Sequence, residues 1–221
     1  VERKPEKVLL VAMSSNKGLC GAFNANVIKQ VVALASGEYA DQNQRGNLEV
    51  LCIGKQANEI LKKTYNVIGE HNKLYDTMSY ENISEVAATI MAQFVEGKYD
   101  KVELVYNQFK NAGVQILTTE QFLPVKQDEE GNEVQSEYIF EPNQSDILGE
   151  LIPKSLKTQF FKAMLDSFAS EHGARMTAMH KAPDNASDLI QDLNLTYNKA
   201  RQAAITNEIL EIVSGANALA Q

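Results

Sequence analysis

Ser14–Asn24, SSNKGLCGAFN, gathers hydroxyls, a lysine, two glycines and a thiol between an apolar run and a stretch of helical periodicity, which is where phosphate-binding loops sit. That use needs G-x-x-x-x-G-K-[ST] or G-x-G-x-x-G, and the segment has only G-x-x-G at Gly18 and Gly21, so a tight structural turn is the favoured reading. Cys20 would need a histidine as its base, yet His71, His172 and His180 stand at no recognisable dyad spacing, and a small buried thiol is the commoner case. His172 and His180 are not at i, i+4, and Glu171-His172 lacks a second histidine, so neither makes a zinc motif. Asp128, Glu129, Glu130, Glu133 and Glu137 crowd around Gly131-Asn132 without the order of a calcium loop and read as the solvated tip of a hairpin that resumes at Tyr138-Ile139-Phe140. Asp184, Asp188 and Asp192 recur every fourth residue, as on a polar helix face. No catalytic residue, metal ligand or cofactor is expected from these patterns.

Composition narrows the class. The 221 residues are 44% hydrophobic and 23% charged, ordinary globular usage, with no stretch near the roughly 18 apolar residues that cross a bilayer. A net charge of −8 is the wrong sign for neutralising nucleic acid, and Cys20 and Cys52 are too few for a disulfide framework. No secretory leader is recognisable, and the first residue, Val1, is not a methionine, so preceding sequence is expected to be absent.

The elements that position these residues divide the chain in two. Residues 7–13 (KVLLVAM), 48–53 (LEVLCI) and 101–107 (KVELVYN) are apolar strand-like runs alternating with helical stretches from Ala22, after Gly54 through Lys63, and over about Ile83–Glu96. This predicts a mixed, mostly parallel sheet covered on both faces, in a Rossmann-like α/β body over 1–150. Val114–Val125 alternates partially, like an edge strand. From about Pro153, where proline suits a first turn, a single long helix is expected to fill 151–221. About 65 residues at 1.5 Å each would span on the order of 100 Å, so most of it must project.

Ala186, Ile190, Leu193, Tyr197, Ala200 and Ala204 follow the alternating spacing of a coiled-coil seam, and Phe161, Met164, Phe168, His172, Met176 and Met179 keep a similar rhythm upstream. Such a stripe needs a partner helix, in another chain or ahead of Val1. Pro183 is expected to kink or fray the helix around His180–Asp184. Beyond Glu211, IVSGANALAQ is uncharged, either a frayed end loosened by Gly215 or an apolar tip for an apolar socket.

SSNKGLCGAFN at 14–24 and, more specifically, SEHGARMTAMHKAPDNASDLIQDLNLTYNKARQAAITNEILEIVSGA at 170–216 resemble the gamma subunits of F-type ATP synthases, in order along the whole chain. The resemblance implies a Rossmann-like body and a C-terminal helix that pairs with an N-terminal helix as an antiparallel coiled coil. That N-terminal helix is the partner expected ahead of Val1. It implies a non-catalytic rotor, or central-stalk, subunit without an active site of its own, coupling ion flow to the conformational cycle of catalytic beta subunits. A generic coiled-coil scaffold and a nucleotide-binding enzyme are the alternatives. Implied partners are the alpha and beta subunits, the epsilon subunit and the membrane c-ring. The implied location is peripheral, through partners only, on the cytoplasmic face of a bacterial membrane or its organellar equivalent. The resemblance places the beta-contacting segment at Arg201, Gln202 and Thr206. It places the bearing-seated tip at Ile209, Ile212, Val213 and Leu219, and it turns the body around Ser14–Phe23 towards epsilon and the ring. Pro183 departs from the family's usual Thr, and the cysteine-bearing insert of chloroplast members is missing, so Cys20 and Cys52 are not expected to form a light-dependent thiol switch.

Overall fold

Residues 5–125 and 143–219 are described by the computed structural model of the chain; the expected acidic hairpin around Asp128–Glu137 lies outside them. The strands β1 (Val8–Met13), β2 (Leu48–Ile53), β3 (Asn66–Glu70), β4 (Lys101–Asn111) and β5 (Val114–Leu123) form a sheet in the order β3-β2-β1-β4-β5. All pairings are parallel except β4 with β5. Every residue of β1 is buried, Val8, Leu10 and Ala12 on one face and Leu9, Val11 and Met13 on the other, as a central parallel strand requires.

Helices α1 (Phe23–Ser36) and α3 (Lys55–Leu61) cover the first face with Val27, Val31, Leu34, Ala57 and Leu61. The short α2 (Ala40–Gln44) follows α1, and a 3₁₀ turn, Asn72–Tyr75, follows β3. The second face is covered by α4 (Tyr80–Val95), through Ile83, Ala87 and Ile90, and by α5 (Gln144–Leu219), through Leu156, Phe160, Ala163 and Met164. The chain keeps its helices on one face while it steps from β1 to β3 and changes face when it returns to β4, as right-handed crossovers require. One charge enters the first layer: Glu103 on β4 is buried, accepts a hydrogen bond from Tyr39 at 2.7 Å and pairs with Lys101 at 3.0 Å.

Three expectations about the long helix change. It starts at Gln144, and Pro153 lies inside it rather than in its first turn. An Asn-x-x-Asp cap explains this: Asn143 Oδ1 accepts the Asp146 N–H at 2.9 Å and its Nδ2 donates to the Asp146 carboxylate at 2.6 Å. The helix also runs unbroken through Pro183, because a cost of about 3 kcal/mol for one proline does not outweigh the hydrogen-bond ladder on both sides. Finally, the upstream rhythm is not one seam. The buried face is Leu156, Phe160, Ala163, Met164, Ser167, Ser170, Glu171 and Ala174, of which only Met164 belongs to that rhythm. Phe161 and Phe168 lie on its flank against Tyr80 and Tyr75, and Met176 and Met179 are exposed.

Two compact units result, Val1–Thr177 and Ala178–Gln221, with α5 contributing to both. The division drawn from sequence, at 150/151, follows the change in composition; the units divide later because the helix buries a face in the body as far as Ala174. Residues 179–217 are exposed throughout.

Candidate functional site

The loop after β1 sits at the carboxyl end of the sheet beside the switch point between β1 and β4, the usual ligand crevice of such folds. Its residues are otherwise engaged. The first three N–H groups of α3 are satisfied from this loop: Asn16 Oδ1 accepts from Lys55 at 3.1 Å, the Ser15 carbonyl from Gln56 at 3.1 Å, and Ser14 Oγ from Ala57 at 3.0 Å. Gly54, at φ +103, lets Ser14 approach, since a methyl there would lie 2.0 Å from the Ser14 carbonyl oxygen. Asn24 fastens the loop from α1, accepting from the Ser15 N–H at 2.9 Å and donating to Cys20 Sγ at 3.2 Å. Leu19, at φ +62, is turned outward and 79% exposed.

The crevice itself is filled by α5. Ala174 packs on Cys20 and Phe23, and Arg175 donates to the carbonyls of Lys17 and Gly18 at 3.2 and 3.3 Å while pairing with the buried Glu171 at 2.7 Å. A phosphate cradle presents free N–H groups, whereas this loop presents carbonyls to a guanidinium. The geometry is that of a turn fastened to a helix. Sequence reasoning weighed Glu171 only as a metal-motif residue and did not single out Gly173, Arg175 or Thr177. Two signals were present, an acid and a base at i, i+4 and a glycine inside a helical pattern, which usually has a packing reason.

Elsewhere in the body, a cleft of about 790 Å³ lies between β3 and α4, lined by Ile68, His71, Asn72, Asn82, Glu85 and Gln93 among others. Thr77, Thr89 and Lys73 line it as well, while no serine or cysteine does. Burial pushes His71 below the ordinary histidine range. The thiol of Cys52 is pushed up to about 12, first by burial and then by the charge of Glu70. Among the described residues, no cluster of His, Cys, Asp and Glu could hold a metal ion.

The residues of α5 expected to meet partners all belong to the exposed unit, while Ser14–Phe23, expected to face epsilon and the ring, belong to the body. Ile190, Leu193 and Tyr197 are 60, 60 and 66% exposed, and Ala186, Ala200 and Ala204 are exposed between them, so the stripe is bare. At about 100° per residue these six fall on one narrow face, and Gln202 and Thr206 lie roughly 160–200° around from its centre, with Arg201 about 60° away. Thr206 Oγ1 donates to the Gln202 carbonyl at 2.8 Å, so its hydroxyl is left as an acceptor. Arg201 and Gln202 have no side-chain partner among the described residues. Further on, Ile205, Ile209, Leu210, Ile212 and Val213, all exposed, spread over nearly half the circumference, centred roughly 150° from the stripe. Leu219 is the last residue of α5.

The chain matches the family model described as ATP synthase over residues 1–219. It is 57% identical to the ATP synthase gamma chain of Christiangramia forsetii and 56% identical to that of Flavobacterium johnsoniae, in each case over 99% of this chain and 75% of the relative. It is 46% identical to the gamma chain of Bacteroides fragilis, over 99% of this chain and 77% of that one. In fold it resembles a chain of the Tetrahymena thermophila mitochondrial ATP synthase central stalk and c-ring structure, with TM-score 0.62, 24% identity and coverage of 82% of this chain and 78% of that one. A chain of the Euglena gracilis mitochondrial ATP synthase is similar too, with TM-score 0.61, 22% identity and coverage of 97% and 73%.

Proposed function

The chain belongs to the ATP synthase gamma chain family, and on that premise we propose how it serves as the rotor subunit of the F-type enzyme. The observation that carries the proposal is the exposed unit of α5, a helix whose sides differ chemically. One narrow apolar stripe suits a partner helix. Arg201 and Gln202 are free donors away from that stripe, and a broad apolar arc follows towards the end. A rod with unlike sides cannot touch three identical catalytic subunits equivalently. It therefore holds them in three different nucleotide states, and turning it exchanges those states.

In this reading Ala186, Ile190, Leu193, Tyr197, Ala200 and Ala204 pack against a second helix as a coiled coil. Arg201 and Gln202 donate to carboxylates or carbonyls of a beta-subunit loop, with Thr206 accepting alongside. Ile209, Ile212, Val213 and Leu219 seat in an apolar bearing formed by the alpha and beta subunits, and the body meets epsilon and the c-ring. The subunit has no active site of its own, and chemistry stays with its partners. Among the described residues no helix is long and apolar enough to cross a membrane, which suits a subunit held at the cytoplasmic face through its partners.

The test is the assembled complex carrying Arg201→Ala and Gln202→Ala. Losing charge-assisted contacts should lower ATP turnover about tenfold while the subunit still co-purifies with the alpha–beta hexamer. A turnover equal to that of the parent would remove these residues from the interface and favour a passive coiled-coil scaffold.

A further inference from the structure

If the chain is a rotor, as proposed above, turning force has to pass between the sheet and α5, and apolar packing alone is poorly suited to carry it. Burial of Leu156, Phe160, Ala163 and Met164 is non-directional, so it resists separation of the helix from the sheet more than rotation about the helix axis. One directional contact lies within this stretch, Gln159 Nε2 donating to Glu120 Oε1 of β5 at 2.7 Å, and the others form two sets about two to four turns beyond Met164. On one flank Arg175 Nη2 donates to the Lys17 carbonyl at 3.2 Å and to Glu171 Oε1 at 2.7 Å, and its Nε donates to the Gly18 carbonyl at 3.3 Å. On the other flank the single proton of Thr177 Oγ1 is shared between the Ala112 carbonyl, in the turn between β4 and β5, and the Gly173 carbonyl of its own helix, each at 3.0 Å. Gly173 lets that turn come close, because a methyl on it would lie 3.1 Å from Ala112 Cα and 3.4 Å from the Phe109 ring.

At about 100° per residue the two sets lie roughly 160° apart around the helix, one on each side of the buried Ser167–Ser170 face. Both abutments are braced. The loop is tied to α3 by its capping bonds, to α1 by Asn24 and to the 3₁₀ turn by Asn16 Nδ2, which donates to the Asn72 carbonyl at 2.8 Å. The β4–β5 turn is held by Gln115 Nε2 on the Ala112 carbonyl at 3.0 Å and by the Gly113 N–H on Asn111 Oδ1 at 3.0 Å. We infer that Glu171, Gly173, Arg175 and Thr177 are positioning residues of a torsional collar that fixes the rotational setting of α5 on the sheet and transmits torque between them.

The experiment uses the assembled ATP synthase with a marker on the body of this subunit, and reads the angular fluctuation of the marker while the hexamer is paused. Arg175→Ala should raise the variance about twofold or more, Thr177→Val less, and Arg175→Lys should recover part of the loss. Leu156→Ala serves as the control, since it weakens the same helix through apolar contact alone; at a comparable drop in melting temperature it should leave the variance at the parental value. Parental variance in both Arg175→Ala and Thr177→Val would overturn the collar, as would equal broadening by Leu156→Ala. Should Arg175→Ala fail to assemble, Thr177→Val decides. A parental complex whose marker does not turn with ATP would instead overturn the rotor reading beneath the inference.

Discussion

Leu10 in β1 and Leu193 in α5 are the same side chain in opposite circumstances, the first fully buried between two layers and the second 60% exposed. The contrast holds for whole regions. Up to Thr177 most apolar residues are buried within the chain, on both faces of the sheet, with exceptions such as Leu19 and Val95; from Ala178 onward Leu189, Ile190, Tyr197, Ile209 and Ile212 are all exposed. Isolated helices draw little stability from propensity, so the second region is a surface made for something else to cover. The body folds on its own contacts, and the exposed unit is specified for assembly.

The sharpest way to break that comparison is one substitution made in both regions. Gly54→Ala puts a methyl 2.0 Å from the Ser14 carbonyl at a φ that suits only glycine, and should cost the body on the order of 3 kcal/mol or more or prevent its cooperative unfolding altogether. Gly215→Ala meets nothing within 4 Å and should favour the helix by about 0.5–1 kcal/mol. Denaturant unfolding followed by circular dichroism reads both, and equal signs would end the distinction. Next in size, Phe160→Ala should destabilise the isolated chain by about 3–5 kcal/mol. Ile190→Ala should change it by less than about 0.5 kcal/mol, while weakening assembly.

The smallest effect is a pH dependence confined to the body. Burial lowers the His71 pKa, so the folded body binds this proton less readily than the unfolded chain. The stabilisation is therefore complete above the ordinary histidine value of about 6.5 and is lost as pH falls through it. His71→Gln should flatten that part of the acid limb in urea midpoints of the body. An unchanged limb would show that the cleft is too well solvated at His71 to matter.

Most of the architecture could be read from pattern. Continuous apolar runs gave β1, β2 and β4, because a strand buried on both faces cannot alternate. β3 was missed: in Asn66–Glu70 only Val67 and Ile68 are strongly apolar, as suits an edge strand. The start of α5 was misread because Pro153 looked like a first-turn residue, while the Asn143–Asp146 cap upstream has no hydrophobic period to announce it. The period of the exposed stripe could be read because no packing among the described residues disturbs it, and its use as a coiled-coil seam is part of the proposal. The collar was hidden for the opposite reason. Arg175 and Thr177 act on backbone carbonyls of residues 17, 18 and 112, and no side-chain pattern at those positions records the contact. Serines and an asparagine that look like a phosphate loop turn out to cap α3, a role that depends on the fold bringing β1 and β2 side by side.

The bare apolar surface from Leu189 to Val213 also bears on how much of this protein a cell can keep. A copy without partners displays an exposed apolar helix of the kind that chaperones hold and proteases cut, and a partner covering it would withdraw that signal. On the reading proposed above, the residues that would engage partners would also mark surplus chains for removal.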